Sequence, residues 1–62
     1  MPIIEVKAFE GRFEDEATSE ELIAKLTDAL CDVYGDELRA ETWVLLTGVD
    51  GSRWGFGGQV RK

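Results

Sequence analysis

Apolar residues along this chain change spacing twice, and that change restricts the fold more than any count of residues does. Ile3, Ile4, Val6 and Phe9 come with Glu5 and Lys7 interleaved, the period-two pattern of a half-buried strand over residues 3–9. Leu22, Ile23, Leu26, Leu30 and Val33 then recur at intervals of three and four, which predicts a helix with one apolar stripe running to about Tyr34. Residues 42–47, with Trp43, Val44, Leu45 and Leu46 in succession, read as a second strand apolar enough to be covered on both faces. Strand, helix and strand in this order specify a β-α-β unit, whose two strands are expected to be parallel.

The boundaries carry their own signals. Thr18-Ser19-Glu20-Glu21 has the capping-box form, with Thr18 as the N-cap, and places the helix start there. Gly35 sits where a left-handed residue closes a helix. Between strand and helix, Glu14-Asp15-Glu16 lacks the spaced oxygen ligands of a calcium loop and reads as a solvated connector. Gly48-Val49-Asp50-Gly51-Ser52 is turn chemistry. Arg53-Trp54-Gly55-Phe56-Gly57-Gly58 alternates bulky residues with glycine and predicts a short C-terminal hairpin or ribbon, with Trp54 and Phe56 as contact residues; a nucleotide-binding glycine loop would need a helix after it. The fold class is α+β, as a single domain over residues 1–62.

Composition matters because this unit cannot close on itself. A 62-residue chain buries only about 60% of the surface its unfolded form exposes, and a lone β-α-β unit leaves one sheet face and both edges bare. Cys31 has no intrachain partner and there is no histidine, so neither a disulfide nor a Cys/His zinc site is available as a staple. Oligomerisation is the remaining expectation. No cluster of cations surrounds Cys31 in sequence, so it reads as a small residue at or near the core. The net charge of −6, with seven scattered Lys and Arg, argues against a nucleic-acid or anionic-membrane surface. No apolar run approaches the roughly 20 residues of a membrane span, and Met1-Pro2-Ile3-Ile4-Glu5 lacks the basic start of a secretory signal. A cytoplasmic location is the expectation.

The same counts narrow the chemistry. Catalytic triads that use histidine are excluded, and none of the thirteen carboxylates is singled out as an acid/base pair by its spacing. Pro2 is the unusual group. Removal of Met1 would expose a secondary amine at the chain end, a base or nucleophile if burial and nearby cations lower its pKa toward the working pH.

Pro2 opening a strand, Glu10-Gly11-Arg12 closing it, an amphipathic helix, an apolar strand and then Trp54-Gly55-Phe56-Gly57-Gly58 together resemble the 4-oxalocrotonate tautomerase family of the tautomerase superfamily. The resemblance covers essentially the whole chain. It implies a β-α-β protomer that pairs into dimers, three of which form a hexamer. It implies that Pro2 is the general base, or the acid in hydratase and dehalogenase relatives, and that Arg12 binds a substrate carboxylate through its fixed fork of donors. Trp54 takes the place of a C-terminal aromatic that keeps the proline amine in an apolar setting. Trp43 falls where relatives acting on dicarboxylates carry a second arginine. An indole N–H donates one hydrogen bond without charge, and losing such a donor commonly costs about 2.7–4 kcal/mol of transition-state stabilisation. Arg39 and Arg53 are candidates to compensate.

The resulting expectation is a small tautomerase acting on a 2-hydroxydienoate or similar enol carboxylate. Its site residues are Pro2, Arg12, Trp43 and Trp54, and it uses no metal or cofactor. The alternatives are a non-catalytic or partly catalytic subunit of a hetero-oligomer, in which a paralogous chain supplies the arginine, and a hydratase or dehalogenase relative.

Overall fold

A computed structural model of the protein describes residues 1–60; the last two residues of the domain expected over 1–62 lie outside the described residues. Strand β1, Ile3–Phe9, runs into a 3₁₀ turn at Glu10–Phe13. Helix α1, Glu16–Tyr34, is followed by a 3₁₀ turn at Asp36–Glu41. Strand β2, Trp43–Val49, leads through a third turn, Gly51–Arg53, to the short strands β3, Gly55–Phe56, and β4, Gln59–Val60. The β-α-β unit and the C-terminal hairpin expected from the sequence are both present.

β1 and β2 pair in parallel with Ile3 opposite Trp43 and Phe9 opposite Val49. Because side chains alternate across a strand, the sheet has two unlike faces. Ile4, Val6, Ala8, Val44 and Leu46 are half-buried on one of them, the side on which Leu22, Leu26, Leu30 and Cys31 of α1 withdraw from solvent. Ile3, Phe9, Trp43 and Leu45 stay exposed on the other, at 57, 43, 51 and 47%. β2 is therefore covered on one face within the protomer, not on both as its apolar run suggested, because α1 is the one α-helix among the described residues to lay on the sheet.

The ends of α1 depart from the sequence reading. Asp15, not Thr18, is the N-cap: its carboxylate accepts from the Ala17 amide at 3.2 Å and from the Thr18 hydroxyl at 2.7 Å. Glu21, assigned to the capping box, pairs instead with Lys25 at 3.1 Å. Starting three residues earlier lets an acid rather than a hydroxyl face the positive end of the helix. At the other end Val33 is 74% exposed, although it continues the apolar stripe. A 19-residue helix is about 28 Å long, against about 23 Å for a seven-residue strand, so the helix outruns the surface beneath it. Gly35 closes the helix with φ 106° and ψ 150°, a glycine conformation but not the left-handed helical one, while its amide donates to the Cys31 carbonyl at 2.8 Å. Gly57 and Gly58, at φ 59° and 85°, form the tight turn of the β3–β4 hairpin, as a two-residue loop requires.

Gly48 is the position where sequence and structure differ most usefully. It belongs to β2 rather than to the turn after it, and it pairs with Ala8 on the helix side of the sheet. A Cβ there would lie 2.7 Å from the Glu10 Cα and 2.8 Å from the Glu10 Cβ. The missing side chain allows the Glu10–Phe13 turn to pass directly over the strand.

As a whole the protomer is thin and extended. Its radius of gyration is 14.4 Å, where a compact chain of 62 residues has about 10.6 Å. Its accessible surface is 4,901 Å², about 900 Å² more than a compact monomer of the same mass exposes. Cys31, at 6% exposure, is the only buried hydrophobic side chain among the described residues, as its sequence context suggested. Gly48→Ala is expected to lower stability by about 1–3 kcal/mol through overpacking against backbone, read as a lower urea midpoint with an unchanged slope.

Candidate functional site

The residues marked by the sequence sort to opposite ends of the sheet. Pro2 immediately precedes β1 and Trp43 opens β2, and the Trp43 amide donates to the Pro2 carbonyl at 3.0 Å. Arg12 and Trp54 belong to the segments that follow the far ends of the same strands. Six residue steps separate the two ends, about 20 Å along a strand. One protomer therefore does not bring Pro2 and Arg12 together.

Pro2 is half-buried. It lies in an open groove lined by Met1, Pro2, Ile3, Leu30, Tyr34 and Leu38. No charged side chain contributes to this lining. The groove arises from the fold order: α1 runs back along the sheet, so its last turns meet the start of β1, and the 3₁₀ turn after α1 adds Leu38. Thr42 holds that turn in place, its hydroxyl donating to the Leu38 carbonyl at 2.8 Å. Met1 is 72% exposed, so its loss would disturb little packing. While it is attached, the Pro2 nitrogen is an amide and has no basic lone pair.

Arg39, a candidate for compensating cation, is already engaged. It donates to Asp28 at 2.8 Å and to Asp36 at 2.9 Å, and both bonds push its pKa further above its already high ordinary value. Arg53, the other candidate, lies at the Trp54 end. Arg12 is exposed and has no ion-pair or hydrogen-bond partner among the described residues.

Trp54 is half-buried and fixed. Its indole N–H donates to the Val49 carbonyl at 3.0 Å, and its ring packs on Phe9 at 4.3 Å between centroids, with Phe56 stacked at 6.1 Å. The N–H is thus spent inside the protomer, and the ring is left to act as an apolar wall. The opposite is true of Trp43, which is 51% exposed and whose indole N–H meets no acceptor among the described residues.

The family model described as tautomerase enzyme matches residues 2–62. The chain belongs to the tautomerase family. No curated protein matches it. No group of three or more His, Cys, Asp or Glu side chains among the described residues is arranged to hold a metal ion, and no described helix is long and apolar enough to cross a membrane.

Sequence reasoning did not single out Leu30, Tyr34 and Leu38 as a wall beside Pro2. The only available signal was that residues at the end of α1 must return to the start of β1 in any β-α-β unit. Asp50 was also missed as the support for Trp54: its carboxylate accepts from the Ser52 amide at 2.9 Å and caps the Gly51–Arg53 turn. This bond holds Asp50 below the usual carboxylate range. The folded state therefore favours the ionised form. The stabilisation is complete above about pH 4, where an unfolded aspartate is also ionised, and is lost as pH falls through the lowered folded value. With Trp54 as sole tryptophan in a Trp43→Phe background, its fluorescence is expected to report an acid transition that Asp50→Asn removes.

Proposed function

We propose that the protein is a small tautomerase in which Pro2, freed of Met1, moves a proton on an enol carboxylate such as a 2-hydroxydienoate. The observation that carries this reading is the setting of Pro2: a half-buried position at the chain start, within an apolar groove, in a member of the tautomerase family. An apolar setting disfavours the ammonium form and lowers an amine's pKa, which makes it a better base near neutrality. The reaction takes the enol proton onto the amine and returns a proton to carbon, and it needs neither metal nor cofactor.

Arg12 fits the role of carboxylate clamp only if another copy of the chain presents it. A two-fold pairing places the same patch on both subunits, and two copies joined antiparallel would bring the Arg12 end of each to the Pro2 end of the other. The exposed sheet face with Ile3, Phe9, Trp43 and Leu45 is suited to such an interface, and the hexamer built as a trimer of dimers is the proposed assembly. Trp54 would then form the apolar wall of a neighbour's site.

A second reading is favoured by one observation, the absence of an unpaired cation near Pro2 among the described residues. In that reading the chain is a partly catalytic subunit that completes its site with a paralogous chain. A homogeneous, fully active oligomer of this chain alone would rule it out.

Intact-mass measurement is expected to show loss of Met1. Pro2→Ala is expected to lower kcat/KM by about 10²–10⁴-fold, the range of a general acid-base group; equal rates for the two proteins would refute the mechanism. Native mass spectrometry is expected to give six chains, and a stable monomer would refute the shared site.

A further inference from the structure

We infer that β1 is a self-recognition edge: two copies of the chain pair antiparallel along it, centred on Val6, with Glu5 of each copy opposite Lys7 of the other. This rests on the antiparallel pairing proposed above and fixes its edge, its register and the identity of the partner.

Backbone direction selects the residues that can pair. The Trp43 amide donates to the Pro2 carbonyl, and Ile3 is in register with Trp43, so the even-numbered residues of β1 turn their peptide groups toward β2. The N–H and C=O groups of Ile3, Glu5, Lys7 and Phe9 point the other way, along an edge that no described strand covers. Their side chains are exposed on the sheet face away from α1. An open edge of this kind is a template for another strand. The other strand, β2, carries no charged residue, so its edge has no comparable code.

A two-fold antiparallel pairing forms ladder hydrogen bonds only where these odd-numbered residues meet each other. Centred on Glu5, it sets Glu5 against Glu5; centred on Lys7, it sets Lys7 against Lys7. Both place like charges directly opposite, which is destabilising. Centred on Val6, it pairs the whole of Ile3–Phe9: Glu5 meets Lys7, Ile3 meets Phe9, Ile4 meets Ala8 and Val6 meets itself. Within the protomer neither Glu5 nor Lys7 has an ion pair among the described residues, and Glu5 accepts from the Thr47 hydroxyl at 3.5 Å. Both charges are therefore at hand for a second copy. A lysine alone on an edge deters pairing; with a glutamate two positions away on the same face, it admits one register. The pattern is its own complement, so the partner it fits is another copy of this chain rather than a paralogue.

The register also bears on the site. It sets Pro2 beside Glu10 of the other copy, at the start of the turn that carries Arg12. Phe9, with Trp54 packed on it at 4.3 Å, comes opposite Ile3, next to the other copy's Pro2. The two exposed faces join into one across four strands, which leaves Trp43 and Leu45 for contacts between dimers.

The test exchanges the charges at low salt. Glu5→Lys and Lys7→Glu each put like charges opposite one another, and each alone is expected to raise the dimer dissociation constant by about tenfold or more. Equimolar mixing of the two, one of them isotopically labelled, is expected to restore pairs made of one chain of each kind in native mass spectra, a rescue that also shows both variants to be folded. The chain carrying both changes is expected to pair with itself as the wild type does. A Glu5→Cys chain mixed with a Lys7→Cys chain is expected to form an intermolecular disulfide on oxidation, their Cα atoms being about 5.5 Å apart, whereas neither chain alone does; Cys31 is buried and stays out of the reaction. Single variants that pair like the wild type, random partner choice in the mixture, or a disulfide in Glu5→Cys alone overturns the inference. These outcomes leave the proton chemistry, which Pro2→Ala reads, in place; equal activity of Pro2→Ala overturns the proline reading and leaves the register standing.

Discussion

The parallel pairing of β1 with β2 under a single helix governs everything else in this protein. Parallel strands require a crossover, and here α1 is that crossover and also, among the described residues, the only element long enough to cover a sheet face. One layer of helix on one layer of sheet leaves the other sheet face bare. At roughly 25 cal/mol per Å² of apolar surface removed from water, the bare face is the largest reserve of stabilisation left to the protomer. The extended shape and the scarcity of fully buried side chains follow from this geometry.

The same pairing splits the candidate site. In a parallel sheet both strand starts lie at one end and both strand ends at the other, so Pro2 and Trp43 are neighbours, as are the segments that carry Arg12 and Trp54. No change of rotamer closes a gap of about 20 Å. Chemistry that needs an amine and a guanidinium together is therefore tied to association. The surface left open by folding and the separation of Pro2 from Arg12 are two consequences of one topology.

Much of this was legible in the sequence. The limits of β1 and the end of α1 followed from period and from Gly35, and the hairpin or ribbon from the alternation of bulky residues with glycine over residues 53–58, since each depends on residues close in the chain. The helix start was misread because two N-terminal signals overlap: Thr18 and Asp15 are both good caps, and the carboxylate of Asp15 takes the Thr18 hydroxyl as a donor. Val33 was misplaced because helical phase specifies a face but not how far the opposing sheet extends.

Other facts have no local signature. That Gly48 makes room for the Glu10–Phe13 turn, that Arg39 is held by Asp28 and Asp36, and that the Trp54 N–H is satisfied by Val49 all concern groups brought together by the crossover. By itself the sequence determined the elements, their order and the family resemblance, because these are properties of adjacent residues and their spacing. Only the tertiary structure decided which aromatic is fixed and which is free, which cation is neutralised, and that Pro2 and Arg12 stand at opposite ends of the sheet, because each of those depends on distances that the chain's own order does not contain.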